Sequence, residues 1–233
     1  MNPAASISFL RAQATALAST LCLLVSDHPP LEHSPAGQHL LALSTTLADP
    51  LLPPEALLQT VQQGVQELKD LVTAYHEAGH LLAFFSLTPR HRLRLDHVYF
   101  SGRIPGSTAQ AGVASTWISE PHWPDPTQVD EIIREIACLL AGKQAEPQLT
   151  GSVQVEGSDL DDQLAVAELL RLLPEPEQPD AEDRALSLLN GVLDPALVST
   201  LASQLYGRWI QGETVIPFRT IEAFLLGSSE GVV

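Results

Sequence analysis

From Pro54 onward the apolar residues Leu68, Leu71, Tyr75, Ala78, Leu82 and Phe85 recur at steps of three and four. Side chains at that spacing fall on one stripe of an α-helix, so the sequence predicts a long helix over 54–85, buried along the stripe and closed by Pro89. Helical spacing also marks 9–25 and 38–47, separated by proline-rich loops, and resumes at 127–141, 158–173, 195–211 and 217–226. Two short runs, 93–100 and 112–118, flank a Gly- and Ser-bearing stretch and read as strands, the only good strand candidates. The segment 174–183, with three prolines and five acids, reads as a solvated linker. The expected fold is mainly α-helical α+β with a small β-sheet. It divides into an N-terminal helical segment at 1–53, a main domain at 54–226 and a Gly/Ser tail at 227–233.

A chain of 233 residues, 45% of them hydrophobic, buries one large core or two small ones without disulfide staples. Acidic side chains outnumber basic ones 28 to 12, a formal charge of -16. Sequence-independent nucleic-acid binding needs a basic footprint, so nucleic acid is not an expected partner, and anionic membrane surfaces are disfavoured for the same reason. Cys22 and Cys138 each sit in an apolar helical run, which excludes a disulfide framework or a cysteine-built zinc ribbon and points to a reducing, cytoplasmic setting. The most apolar stretch, 12–26, is shorter than the roughly 20 residues a spanning helix needs, so no membrane span is expected. It also lacks the basic start and cleavage site of a signal peptide. No Gly-x-x-x-x-Gly-Lys-Ser/Thr loop occurs, so ATP hydrolysis has no support in the sequence.

On the long helix lies His76-Glu77-Ala78-Gly79-His80, an H-E-x-x-H pattern. Two imidazoles four residues apart project from one helix face, so both reach a single Zn²⁺ at roughly 2.0 to 2.1 Å. Glu77 is placed to take a proton from a zinc-bound water whose pKa the metal lowers towards about 7. These are the parts that metal-assisted hydrolysis of a peptide bond requires. The plainer alternatives are two ordinary helix histidines with Glu77 on a solvated face, or a zinc site kept as a scaffold without turnover.

A catalytic zinc takes three protein ligands and keeps one position for water. The metzincin pattern would need glycine and histidine where Ala83 and Ser86 stand, and the nearest downstream glutamate, Glu120, lies in a Pro-rich loop. The third ligand therefore comes from farther along. The strongest candidate is the acidic cluster Gly157-Ser158-Asp159-Leu160-Asp161-Asp162 at a predicted helix start, where a carboxylate is favoured by the helix dipole. Acids are common at helix starts without any metal, so decoration of that start is the alternative.

Three blocks carry a resemblance: Ala74-Tyr75-His76-Glu77-Ala78-Gly79-His80, then Leu139-Leu140-Ala141-Gly142-Lys143-Gln144-Ala145-Glu146, then Gly157-Ser158-Asp159-Leu160. In order and approximate spacing they resemble the peptidase domain of the FtsH family of ATP-dependent zinc proteases. The likeness spans roughly 67–226, with a weaker part at Gly212-Glu213-Thr214-Val215-Ile216-Pro217 before a closing helix. It implies a zincin-like helical peptidase domain in which His76, His80 and Asp159 bind Zn²⁺ and Glu77 is the general base. Asp162, one turn further on, is the reserve ligand. Ser158 departs from the family's usual Asn. Glu146 is either a carboxylate that holds a zinc-bound imidazole by its second nitrogen or a surface charge. The strand 112–118 either offers an edge to extended substrate or simply covers the core. The other histidines read as surface residues, and Trp117, Trp123 and Trp209 as packing anchors.

The family places a membrane anchor and an ATPase module before the peptidase domain, and neither fits in the residues before Glu67. The expected activity is therefore ATP-independent hydrolysis of unfolded or flexible protein segments. Its partners are the peptide substrate and either a separate unfoldase or a homo-oligomer. The rival expectation, from a different class, is a non-catalytic peptidase-like binding or assembly module.

Overall fold

The computed structural model describes residues 3–88, 93–100, 111–117, 128–150 and 160–229. Helix α1 (Pro3–Asp27), the single turn α2 (Pro29–Glu32) and α3 (Pro35–Leu47) lead into the long α4 (Pro54–Leu87). Strands β1 (Leu93–Phe100) and β2 (Ala111–Trp117) follow, then α5 (Val129–Ala145), the short α6 (Pro147–Thr150) and α7 (Leu160–Leu172). A 3-10 turn (Glu175–Glu177), α8 (Ala181–Asn190), α9 (Pro195–Ile210), β3 (Val215–Pro217) and α10 (Phe218–Ser229) complete the described chain. The fold is mainly helical α+β, as the periodicity predicts.

Local chemistry fixes the element ends. Ser34 caps α3 by accepting a hydrogen bond from the Gly37 N–H, with Pro35 in the first turn, and Asp194 caps α9 through the Leu197 N–H ahead of Pro195. Helix α4 starts at the Pro53-Pro54 pair and stops at Thr88, whose extended backbone is the conformation imposed on a residue preceding proline. At the end of α9, Gly212 adopts φ 91, and the N–H groups of Gly212 and Glu213 bond back to the carbonyls of Trp209 and Arg208. This turn feeds the chain into β3.

The antiparallel sheet runs in the order β2-β1-β3, with Phe100 opposite Ala111 and Val98 opposite Ile216. Val98, Phe100 and Ile216 face the core while Tyr99 and Val215 face outward, the two-residue alternation of a half-buried sheet. Phe100 stacks on Trp209 with ring centroids 4.5 Å apart, so Trp209 is a packing anchor. Trp117 and Trp123 have side chains outside the described residues.

Helix α4 separates two packed clusters. One joins α1, α3, α4, α9, α10 and the sheet, so apolar residues before Pro54 share a core with those after it. The other joins α5, α7 and α8 to Ala83 at the end of α4. Helix α1 contributes Ala14, Ala18, Leu21 and Val25 to the first cluster. Its 22 residues Ser6–Asp27, with mean hydropathy 1.4, are long and apolar enough by length and composition to cross a bilayer, so the shortness of the stretch 12–26, on which the expectation of no span rests, does not hold for the helix.

Two elements depart from the sequence expectation. The linker expected over 174–183 is a 3-10 turn followed by the start of α8. Ala181, Ala185 and Leu189 recur every four residues and are buried in the cluster with α5, whereas Glu182 and Asp183 lie in the first turn, where the helix dipole favours acids. The acidic run that reads as solvated is the outer side of that helix. The second departure is β3, whose three residues are too short to show a period of their own.

Candidate metal centre

Helices α4 and α5 cross closely because two glycines let them. A Cβ on Gly79 would collide with the Ala141 carbonyl and reach within 2.8 Å of the Ala145 Cβ. A Cβ on Gly142 would lie 2.5 Å from Nε2 of both His76 and His80. Glycine inside a helix costs roughly 0.5–1 kcal/mol relative to alanine, so both positions sacrifice helix propensity for approach. The result is a small space bounded by two imidazoles on α4 and bare backbone on α5.

Into that space also points Asp162, from the first turn of α7. Its Oδ2 is 3.2 Å from His76 Nε2 and 3.3 Å from His80 Nε2, and the two Nε2 atoms are 3.0 Å apart. The opposite ring nitrogens are already committed. His76 Nδ1 donates to Glu146 Oε1 at 2.9 Å, and His80 Nδ1 donates to the Cys138 carbonyl at 2.8 Å. A carbonyl carries no proton, so Nδ1 of His80 is the donor in this contact. The Glu146 carboxylate favours the same tautomer of His76. Deprotonated at Nε2, both imidazoles present lone pairs to the same point as Asp162 Oδ2.

Such a set matches a tetrahedral divalent ion. Ligands bound at about 2.0–2.1 Å stand about 3.3–3.4 Å from one another, within a few tenths of an ångström of the observed separations. Two imidazoles and one carboxylate are a donor set that zinc accepts, as do other first-row divalent ions. The Gly142 gap is the second sign of fit, because the Cβ it lacks would fill the point that the two Nε2 atoms share.

The electrostatics of the protein groups agree. Burial pulls the His76 imidazole down, but hydrogen bonds to Asp162 and Glu146 pull it up further, and the net value is about 10. Burial pushes the Asp162 carboxyl up, yet the two imidazoles outweigh it and hold it well below the usual carboxylate range. Both shifts describe a pocket whose carboxylates attract positive charge. Glu77 is raised by burial, opposed by His80 and His76. It is 4% exposed, and its Oε2 has no hydrogen-bond partner among the described residues.

The structure thus brings together His76, Glu77 and His80 from the H-E-x-x-H pattern. Asp159 lies outside the described residues, as does Ser158, and the carboxylate seen against the imidazoles is Asp162, the reserve ligand. Glu146 is 1% exposed and holds His76, which makes it the supporting carboxylate rather than a surface charge. Gly142 was missed as a functional position; a glycine inside a strong helix is the signal that could have raised it. Of the histidines read as surface residues, His28 sits between the Leu24 and Gln148 carbonyls and His39 pairs with buried Glu67. His91 and His122 lie outside the described residues. In the described sheet β2 is an edge strand, and it packs near α4.

Comparison with protein-family models, with curated proteins and with solved structures gives no match for this chain.

Proposed function

We propose that the chain is a zinc metallopeptidase of FtsH-like type, hydrolysing peptide bonds in unfolded or flexible protein segments without ATP. The observation that carries this reading is the meeting of His76 Nε2, His80 Nε2 and Asp162 Oδ2, each imidazole fixed from behind, beside a buried carboxylate with one oxygen unpaired. Either Asp162, by this geometry, or Asp159, by the family resemblance, completes the ligand set. Zinc, when bound, supplies Lewis-acid polarisation and an acidified water. The protein's own groups do the rest. Glu146 and the Cys138 carbonyl hold the imidazoles in their ligating tautomer. Glu77 Oε2 accepts the proton released at the site and returns it to the leaving amine. Gly142 keeps the α5 side open. The edge of β2 that no described strand pairs grips extended substrate through backbone hydrogen bonds, which suits segments of varied sequence. Folded substrates would need an unfoldase on another chain.

The test is to measure zinc per purified chain and to follow cleavage of an unfolded protein by wild type and Glu77→Gln. The reading expects about one zinc in both proteins and turnover in wild type alone. Zinc in both with no wild-type turnover would favour the binding or assembly module instead. Equal cleavage by both would refute Glu77 as the base.

A further inference from the structure

Lys143 follows Gly142, whose missing Cβ leaves room at the two Nε2 atoms, and it stands one turn before Glu146 at the end of α5. Its Nζ lies 3.6 Å from Glu146 Oε2, and its side chain is only 20% exposed. Lysine stays in water unless an opposite charge holds it, and ordering its long stem costs conformational entropy. In a chain with 28 acids and 12 cations exposed carboxylates are abundant, yet this ammonium is turned onto one that is 1% exposed.

The two Glu146 oxygens face different groups. Oε1 accepts from His76 Nδ1 at 2.9 Å, and Oε2 faces the ammonium. The last torsion of a glutamate is broad and two-fold, so a carboxylate held at one oxygen alone still swings. A cation at the second oxygen limits that swing and keeps the first in line with the imidazole. The ring of His76 is then fixed with its proton on Nδ1 and its Nε2 turned towards Asp162 Oδ2 and His80 Nε2. We infer that Lys143 is a positioning residue of the metal centre, acting through Glu146 and His76. The inference rests on the metal-binding part of the proposed function and not on peptide hydrolysis.

Charge gives the same assignment. In their ionised forms Asp162, Glu146 and Glu77 place three negative charges around two neutral imidazoles. A divalent ion offsets two of them, and the ammonium supplies the remaining positive charge. A lysine on Asp162 would compete with the ion for that carboxylate. On Glu146, which the His76 ring separates from Nε2, it does not compete. The plainer role for a lysine in the last turn of a helix is to oppose the helix dipole. That role acts whatever residue follows at 146, so a double-mutant cycle separates the two.

The cycle is read as zinc affinity of the full chain, by competition with a chromogenic chelator, with circular dichroism of each metal-free variant as the check on folding. Lys143→Met keeps the stem and removes the charge, and should weaken zinc binding about 3- to 10-fold, less than a direct partner of the ligand would. Lys143→Gln, shorter and polar, should do the same. In a Glu146→Gln background Lys143→Met should change zinc affinity by less than about twofold, because the charge it held is gone. Lys143→Arg keeps the cation and should bind within about threefold of wild type. The inference is overturned if both uncharged variants bind zinc as wild type does, or if the loss is equal in the two backgrounds. It is also overturned if Lys143→Arg loses as much as Lys143→Met, or if wild type takes up no zinc. A chain that shows the expected pattern yet cleaves nothing would refute the peptidase reading and leave this inference standing.

Discussion

Two clusters of acid and imidazole meet helix α4 about two and a half turns apart, and they differ in where their donors point. Around Glu67 the Tyr206 hydroxyl donates to Oε2 at 2.5 Å, His39 Nε2 lies 3.0 Å from Oε1, and Gln66 donates to neighbouring Asp70 at 2.8 Å. This cluster ties α3 and α9 to α4. Around His76 and His80 both Nδ1 donors point away from the centre, and the two Nε2 atoms and Asp162 Oδ2 face one another. A buried polar group satisfied inside the protein holds helices together, while a convergent set of acceptors marks a place for a cation.

Mutations sharpen that contrast. The largest effect belongs to Glu77→Gln, which should bind zinc at the wild-type ratio and lose about 10²–10⁴-fold in cleavage rate of an unfolded substrate. Gly142→Ala should bring a methyl group against both Nε2 atoms and weaken zinc binding by more than about 10²-fold in a competition titration. Gly191→Ala, where an added Cβ meets nothing closer than 3.7 Å, should leave zinc affinity unchanged. Glu146→Gln should loosen His76 and lower zinc affinity by about 10- to 100-fold. At the balanced cluster, Tyr206→Phe should leave zinc affinity unchanged and lower stability by about 1–3 kcal/mol in urea denaturation, because Glu67 Oε2 loses its donor. A drop in zinc affinity for Tyr206→Phe would show that the two clusters are coupled rather than separate.

The first of these elements was readable without coordinates. Helix α4 announces itself through its apolar stripe and bracketing prolines, and its two histidines share a face by spacing alone. What the sequence leaves open lies across helix contacts. Whether Glu146 supports a ligand depends on how α5 crosses α4, and that crossing is set by Gly79 and Gly142. Asp159 and Asp162 are three residues apart in sequence, so periodicity separates them poorly, whereas 3.2 and 3.3 Å contacts single out Asp162 among the described residues. Helix α8 is hidden because its outer acids and the prolines before it dominate the local composition, while the alanines it buries are weak hydrophobic signals. His28 and His39 look alike in sequence, and their roles depend on carbonyls and a carboxylate brought from distant segments.

The most direct test of the cation site is zinc stoichiometry, measured by mass spectrometry of metal content after loading and desalting, for wild type, Asp162→Ala and Asp159→Ala. If Oδ2 of Asp162 completes the site, wild type and Asp159→Ala retain about one zinc per chain and Asp162→Ala retains almost none. Full retention by Asp162→Ala, or a wild-type chain that holds no zinc at all, would contradict the account.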